Sequence, residues 1–331
     1  MRCWGVPTDG LSKSSATIPG PAAPRAARLR PSRPQPERAD RRRGVATGAC
    51  TMVLLGASFG VSRALHPDTL YLAQAVRYVA AGLLMLVVAA RRKVRLYWPR
   101  GLEWVWLGGL AAVGLVLFNV AIVRGLAHAE PAVIAVAVAC VPVVLGVVGP
   151  LVEGRAPSRR TLVAAVVVTA GGALVEGTGR TDAIGLGWAA VVLVCEACFT
   201  LLAVPVLPRH GAFGVSLHAI WMGAAAFAVL GFGTEGAGAL ARITAGQWAA
   251  IGYLTVLVTT VAFILWYSTV GALGPDLAGV MTGIAPVSAA VTGIPLTGQV
   301  PGLSVWLGIL VVFCGQAVGL FGRRSAPDPF G

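Results

Sequence analysis

Charged residues are scarce in this chain, and that scarcity limits the class of protein it can be. Only 12% of the 331 residues are Asp, Glu, Lys or Arg, against 56% that are hydrophobic. Soluble domains carry roughly 25% charged residues, so the composition excludes an ordinary water-soluble domain. Aromatic residues are also few, at 7%, whereas glycines number 43. Many small residues are typical of membrane helices that pack closely.

Several motifs are missing as well. The sequence has no glycine-rich loop with a Lys-Ser or Lys-Thr pair, so it does not predict ATP as an energy source. It has no His-Glu-x-x-His pattern and no Cys/His cluster with the spacing of a metal site. Five of the six cysteines lie inside apolar runs, which favours small buried hydrophobes over a disulfide framework. We therefore expect no cofactor.

The formal net charge of +13 could indicate a nucleic-acid partner. Position argues against it, because ten of the 26 Lys and Arg residues lie in the first 43 positions and most others flank apolar runs. A membrane explains this distribution better, so no nucleic-acid partner is expected. Residues 1–43 are rich in Pro, Arg, Ser and Ala without apolar periodicity, and we predict that they are disordered.

From Gly44 onward the sequence contains ten apolar runs of about 17 to 24 residues, each able to cross the roughly 30 Å core of a bilayer as a helix. The predicted spans are 44–64, 69–90, 104–123, 130–151, 160–176, 184–207, 212–232, 247–269, 277–297 and 302–321. The predicted fold is therefore an all-α integral membrane protein with about ten transmembrane helices.

Two long stretches of the chain resemble each other. Residues 125–172 contain two apolar runs joined by a polar turn, with Pro142 inside the first run. The pattern returns about 145 residues later over 271–315, with Pro286 in the same place. Self-similarity on this scale is typical of secondary transporters built from two repeats. The predicted domains are the basic tail (1–43), a first five-helix repeat (44–176), a second five-helix repeat (183–322) and a short C-terminal tail (323–331).

The charges at the ends of the spans predict the orientation. With the N-terminus in the cytoplasm, eleven Lys and Arg residues fall in cytoplasmic loops and four in outer loops. Cytoplasmic loops usually carry the excess of basic residues. We therefore predict a multi-pass protein of the cell membrane with both termini in the cytoplasm. Because five spans is an odd number, the two repeats would be inverted relative to each other.

The first pair of spans resembles the EamA-like transporter family of the drug/metabolite transporter superfamily. Its small-aromatic-small motif is matched by Leu55-Gly-Ala-Ser-Phe-Gly60, its loop proline by Pro67, and its Arg-aromatic pair by Arg77-Tyr78. The likeness extends over nearly everything from Gly44 to Gly322.

The fourth and ninth spans carry the same resemblance. The family has a central proline and then a glutamate before the turn, matched by Pro142 and Glu153. In the ninth span Pro286 matches the proline, but Gln299 stands where the family usually has the acid. The resemblance implies a ten-helix, inverted-repeat carrier of a small metabolite, and it implies an intramembrane role for Arg77.

Two charges remain well inside the predicted spans, Arg77 in the second and Glu196 in the sixth. A charge at the bilayer centre costs roughly 2.5 to 3.5 kcal/mol on insertion scales, so it usually faces a cavity or a partner. At 1.5 Å per residue they lie about 12 Å and about 18 Å from the outer ends of their spans. We predict that both line a central cavity, Arg77 for a carboxylate and Glu196 for a proton or an amine. A buried ion pair that only fixes helix packing is the alternative.

Other polar side chains at membrane depth are weaker candidates for the same cavity. Asn119 and His218 could bind a solute or could tie two helices together, and Ser58, Gln74 and Tyr267 are similar. Pro142 and Pro286 would each bend a helix and act as hinges, or form tolerated kinks. The Cys195–Cys198 pair has redox-like spacing but lies in the middle of a span.

The sequence therefore predicts a carrier rather than an enzyme. Its expected partners are a small-molecule solute (amino acid-like, a related organic solute, or a drug), membrane lipid and a proton as coupling ion, and a homodimer is compatible with the sequence. Export by alternating access between the two repeats is the predicted activity. Two rivals stay open: a membrane-embedded enzyme that uses Glu196 or the Cys195/Cys198 pair, and a receptor or scaffold without transport.

Overall fold

The structure of the protein, a computed structural model, describes residues 38–62, 67–177, 179–297 and 301–321. In these ranges the chain folds into helices, and the one β-type contact is an isolated bridge between Ala129 and Thr181. Most of the predicted N-terminal tail, the predicted C-terminal tail and Gln299 lie outside the described residues. The first helix begins six residues before the predicted span, at Arg38 rather than Gly44.

The described residues form twelve α-helices, numbered in chain order. They are α1 (Arg38–Ser62), α2 (Leu70–Arg92), α3 (Glu103–Leu126), α4 (Pro131–Ala139), α5 (Val141–Val152), α6 (Arg159–Glu176), α7 (Ala183–Leu201), α8 (Leu207–Thr234), α9 (Ala245–Leu273), α10 (Pro275–Met281), α11 (Ile284–Thr297) and α12 (Leu303–Phe321). Short 3₁₀ turns precede α2 (Pro67–Thr69) and α9 (Ala237–Arg242). Both α3 and α9 contain a π-helical stretch, at Leu110–Leu117 and Leu254–Ala262.

Seven helical segments of the described chain are long and apolar enough to cross a membrane. They are α2, α3, α4 with α5, α7, α8, α9 and α12. An integral membrane, all-α protein is therefore supported. The three other predicted spans coincide with α1, with α6, and with α10 and α11 together, so the count of ten stays a prediction.

Landmarks of the first six helices recur 144 residues later in the last six. The recurring pairs are the π-helix starts Leu110 and Leu254, the helix-starting prolines Pro131 and Pro275, the later prolines Pro142 and Pro286, and the helix starts Arg159 and Leu303. Each helix from α1 to α6 thus has a counterpart six helices further on.

Pro142 and Pro286 each lie just after a break in a helix. Pro142 is the second residue of α5 and follows a turn at Cys140, and Pro286 is the third residue of α11. A proline removes a backbone donor and leaves a carbonyl without its helical partner. In the first half Thr169 of α6 donates its hydroxyl, at 2.9 Å, to the carbonyl of Ala139, next to the Val138 carbonyl whose helical partner is the proline. Such side-chain donors are how membrane helices tolerate breaks.

The closest approach between the two halves is the contact of α6 with α12. A β-carbon added at Gly171 would lie 2.7 Å from the backbone nitrogen of Val312, and one at Gly315 would lie 2.9 Å from that of Val168. These two contacts are each other's image under the 144-residue shift. Since the later residue of α6 meets the earlier residue of α12, the two helices run antiparallel about a local two-fold axis.

Contacts between residues near the helix ends show which ends lie at the same face of the bundle. At the face where α1 begins, called the N-terminal face below, Glu103 pairs with Arg209, and Arg160 of α6 donates to the carbonyls of Val318 and Gly319 near the end of α12. At the opposite face Arg180 pairs with Glu130 at 2.9 Å. There the carboxylate of Glu235 accepts from two backbone N–H groups in the first turn of α2.

The two helices that are interrupted before Pro142 and Pro286, namely α4–α5 and α10–α11, do not pack symmetrically. At the N-terminal face α5 packs against α10, and a β-carbon at Gly149 would lie 2.9 Å from Cγ of Pro275. The equivalent pair at the opposite face, α11 and α4, forms no extended contact within the described residues. Instead α11 packs along α1. The N-terminal face is therefore closed at this position and the opposite face is not.

Candidate functional site

Arg77 lies buried on α2, where Gln74 occupies the same helix face one turn earlier. Its Nε donates a hydrogen bond to the hydroxyl of Thr259 on α9, and its Nη1 lies 3.3 Å from Oε1 of Gln74. Both partners are neutral oxygens. Within the described residues no carboxylate lies within ion-pair distance of this guanidinium, so its positive charge is not compensated by a protein acid.

The same polar cluster continues from Gln74 into α3. Nε2 of Gln74 donates to Oδ1 of Asn119 at 2.7 Å, and Nδ2 of Asn119 donates to the carbonyl of Leu115 at 2.7 Å. Leu115 lies in the π-helical stretch of α3, and Thr259 lies in that of α9. π-Helical turns loosen the regular ladder and recur at functional sites. The cluster thus joins α2, α3 and α9 in the interior of the bundle.

Glu196 lies on α7, on the face that also carries Phe199 and Thr200. This face meets α9: the hydroxyl of Tyr267 donates to the carbonyl of Phe199 at 3.1 Å, and Nε1 of Trp266 donates to the hydroxyl of Thr200 at 3.1 Å. Glu196 itself is partly accessible and interacts electrostatically with Tyr267. Within the described chain no side chain donates a hydrogen bond to its carboxylate.

The direct ion pair considered for Arg77 and Glu196 is absent. Arg77 is held between Gln74 and Thr259, whereas Glu196 lies on α7. The reason is helix packing, because α2 lies against α8 and α9 and has no extended contact with α7. Depth along a helix could be estimated from sequence, but the direction in which each helix presents its charge could not.

His218 belongs to a different cluster, at the N-terminal face. Its ring stands edge-on to that of His210 with centroids 5.2 Å apart, and Nε2 of His210 lies 3.2 Å from Oε2 of Glu103. Glu103 also forms an ion pair with Arg209. Glu103 and His210 lie just outside the predicted spans 104–123 and 212–232 and were not among the predicted site residues.

The remaining candidates, Ser58 and Tyr267, donate hydrogen bonds to backbone carbonyls. Ser58 donates to the carbonyl of Leu55 in its own helix at 2.7 Å. Tyr267 is fully buried and is fixed by Phe199, as described above. Thr259 was missed in the sequence, although Thr255, Thr259 and Thr260 form an unusually polar group within an apolar span and could have signalled it.

A small cavity of about 250 Å³ lies between the end of α6, α11 and the start of α12. Its lining includes Glu176, Pro286 and Ala289. Glu176 ends α6 and has no hydrogen-bond or ion-pair partner in the described part of the chain. The break before Pro286 therefore borders an open space that contains a carboxylate.

The helical bundle and its two buried polar clusters define a polytopic membrane protein that holds charges at membrane depth. Residues 42–176 match the model of the EamA-like transporter family. This match agrees with the EamA-like resemblance predicted from the sequence and extends over the first predicted repeat.

Two further likenesses agree with this match. The uncharacterized transporter YetK of Bacillus subtilis (strain 168) is 22% identical over 224 residues, which cover 66% of this chain and 68% of the relative. A crystal structure of another protein superposes with a TM-score of 0.71 at 18% identity, covering 83% of this chain and 96% of that chain. The family and the relative support a membrane transporter, and the crystal structure shows a shared fold.

Proposed function

We propose that the protein is a secondary transporter that exports a small amino acid-like or related organic solute, or a drug, across the cell membrane. The observation that carries this proposal is the buried Arg77, whose described partners are neutral. An arginine guanidinium stays positively charged and presents several N–H donors that match a carboxylate, so an arginine with only neutral partners can bind an anionic group. A solute carboxylate would displace the long contact to Gln74, and Glu196 would receive a solute amine or a proton.

We further propose ten spans arranged as two inverted five-span repeats. The 144-residue recurrence of helix landmarks supports two repeats. The antiparallel contact of α6 with α12, in which Gly171 meets Val312 as Gly315 meets Val168, supports their inversion. Inverted repeats place the substrate site near the middle of the membrane, where the halves meet.

Alternating access would follow from the unequal packing of the broken helices. The described state has α5 closed on α10 but α11 apart from α4. In an inverted repeat the second state exchanges the two arrangements. We propose that α11 closes on α4 while α5 leaves α10, with the breaks before Pro142 and Pro286 as hinges.

The orientation of the protein in the membrane is proposed from the distribution of basic residues. Basic residues favour the cytoplasm for the N-terminal face, so the described state would be open to the outside. Energy would come from a proton or solute gradient.

A metabolite-export screen tests the function. The intact protein, Arg77→Ala and Glu196→Gln are expressed in a host without related exporters, with Arg242→Ala, an exposed arginine, as matched control. We expect at least one amino acid-like compound to accumulate outside with the intact protein and the control, and at least tenfold less with the two site variants at equal membrane abundance. Full export by both site variants would contradict the assigned site.

The enzyme alternative would use Glu196 or the Cys195/Cys198 pair. Cys195 is buried and both cysteines are free thiols. No cluster of three metal-ligating side chains occurs among the described residues.

A further inference from the structure

An acid and two histidines connect the N-terminal face to the interior of the bundle. We propose, resting on the proposed transport function, that Glu103, His210 and His218 form the path of a coupling proton. The chemical class of the second ligand would then be a proton, and its site would be the imidazole pair on α8.

His210 lies at the centre of this path. Its side chain has no exposed surface, and Nε2 faces the Glu103 carboxylate at 3.2 Å. The other ring nitrogen, Nδ1, is buried and has no hydrogen-bond partner in the described structure. Buried polar atoms are nearly always hydrogen-bonded, so this nitrogen stands out as a buried lone pair that is able to accept a hydrogen.

The hydrogen bonds assign the tautomers of the neutral rings. His218 Nδ1 lies 2.7 Å from the carbonyl oxygen of Gly214, which can only accept, so Nδ1 carries the hydrogen. The Glu103 carboxylate likewise accepts from Nε2 of His210. Each neutral ring therefore has a lone pair on its remaining nitrogen, His218 Nε2 and His210 Nδ1. The ring centroids are 5.2 Å apart, so a positive charge on one ring disfavours a second proton on the other.

The surroundings leave Glu103 as the acid that faces this pair in the described chain. Arg209, on α8 itself, forms an ion pair with Glu103 and both side chains reach the surface, at 33% and 21% exposure. The helices packed against α8 are α2, α3, α9. Besides Glu103, their ionisable groups near the pair are Arg91 and Arg92, which are exposed, and, deeper in the bundle, Arg77, Tyr78 and Tyr267.

The transfer is balanced with one proton. Nε2 of His218 takes a proton from the interior and, once the two rings turn so that these nitrogens come within hydrogen-bond distance, passes it to Nδ1 of His210. His210 then gives its Nε2 hydrogen to Glu103, which releases it to water at the surface, and tautomer exchange of the neutral His210 ring restores the Nε2–H form. Arg209 holds the carboxylate in place after release.

Histidine NMR of the full chain in detergent micelles tests the pair without any solute. We expect the titration midpoint of His218 to move by about one pH unit or more in His210→Gln, since coupled groups titrate as a pair. The matched control is His128→Gln, a histidine at the opposite face paired with Asp182, which should leave His218 unchanged. Independent titration of His210 and His218 would overturn the proposal.

Proteoliposomes test the coupling, with an equimolar mixture of the twenty standard amino acids as solute. His210→Gln should reduce pH-gradient-driven accumulation at least tenfold and keep exchange at equal pH within about twofold. Accumulation that persists in His210→Gln, or exchange lost in parallel with it, would overturn the proton path. If the unmodified protein moves none of these solutes, the proposed function fails for them, while the NMR result still decides the histidine pair.

Discussion

Two interfaces between the halves of this protein differ in their symmetry. The contact of α6 with α12 is the same from either half, because Gly171 meets Val312 just as Gly315 meets Val168. The contacts of the broken helices differ, since α5 packs on α10 while α4 and α11 have no extended contact in the described part of the chain. In a molecule with two similar halves, a symmetric contact can persist through an exchange of states. Under the proposed alternating access the asymmetric contact is the one that changes.

The local chemistry of the two interfaces fits this division. At α6 and α12, glycines bring backbone against backbone, which leaves no room for rotation or for a side chain. At the broken helices, prolines interrupt the hydrogen-bond ladder, and a cavity of about 250 Å³ lies beside Pro286. The rigid contact of α6 with α12 therefore lies next to two interrupted helices, α4–α5 and α10–α11.

Breaking the symmetric interface should have the largest effect. Gly171→Leu would place a β-carbon 2.7 Å from a backbone nitrogen of α12, and neither backbone can move aside without separating the helices. Overpacking commonly costs about 1–3 kcal/mol, and contact with backbone favours the upper end or more. We expect most of the folded protein to be lost, as measured by size-exclusion chromatography in detergent. Gly187→Leu, at a helical glycine with open space around it, should elute like the unmodified protein.

Locking the asymmetric interface should have the next largest effect. In a cysteine-free background, Gly149→Cys with Pro275→Cys would place β-carbons about 3.2 Å apart, near the roughly 3.5–4.5 Å of disulfides. Oxidation should abolish transport and reduction should restore it. The equivalent positions in α4 and α11 are Pro131 and Gly293, and a cysteine pair there should cross-link only during turnover. Undiminished transport by the oxidised 149/275 pair would contradict motion at this contact.

Removing the donor at the first helix break should have a smaller effect. Thr169→Val deletes the hydrogen bond to Ala139, and such bonds in membranes average about 0.6 kcal/mol and reach about 1.7 kcal/mol. We expect a loss of stability in that range, measured by unfolding in a denaturing detergent. Thr234→Val is the control, because the exposed Thr234 bonds only its own helix at Leu230. Equal stability of the two variants would show that water replaces the Thr169 hydroxyl.

Acid should weaken the opposite face slightly. The side chain and backbone N–H of Arg180 hydrogen bond to Glu130 and hold the pKa of that carboxyl below its usual range. The stabilisation is therefore present above the ordinary pKa of about 4.3 and is lost as pH falls through the lower folded value. Below about pH 4 the melting temperature of the unmodified protein should fall more than that of Glu130→Gln. A parallel fall in both would exclude a contribution from this pair.

The candidate site was predictable in its residues but not in its grouping. Arg77, Glu196 and Asn119 stand out because a charge or amide in an apolar run is costly and rare. That Arg77 bonds Gln74 and Thr259, and that it forms no ion pair with Glu196, depends on which helix faces meet. His210 and Glu103 lie at the ends of their spans, where polar residues are common, so nothing in the sequence marked them as site residues.

The sequence by itself determined that the chain has membrane-spanning helices, repeats its pattern and resembles the EamA-like family, because hydropathy, spacing and local motifs depend only on residue order. Tertiary structure alone decided that α6 and α12 approach as images of each other, that α5 closes on α10, and that Glu103 meets His210. These are contacts between residues distant in the chain. Apolar helices with little periodic polarity do not encode their rotation, so only packing in three dimensions resolves it.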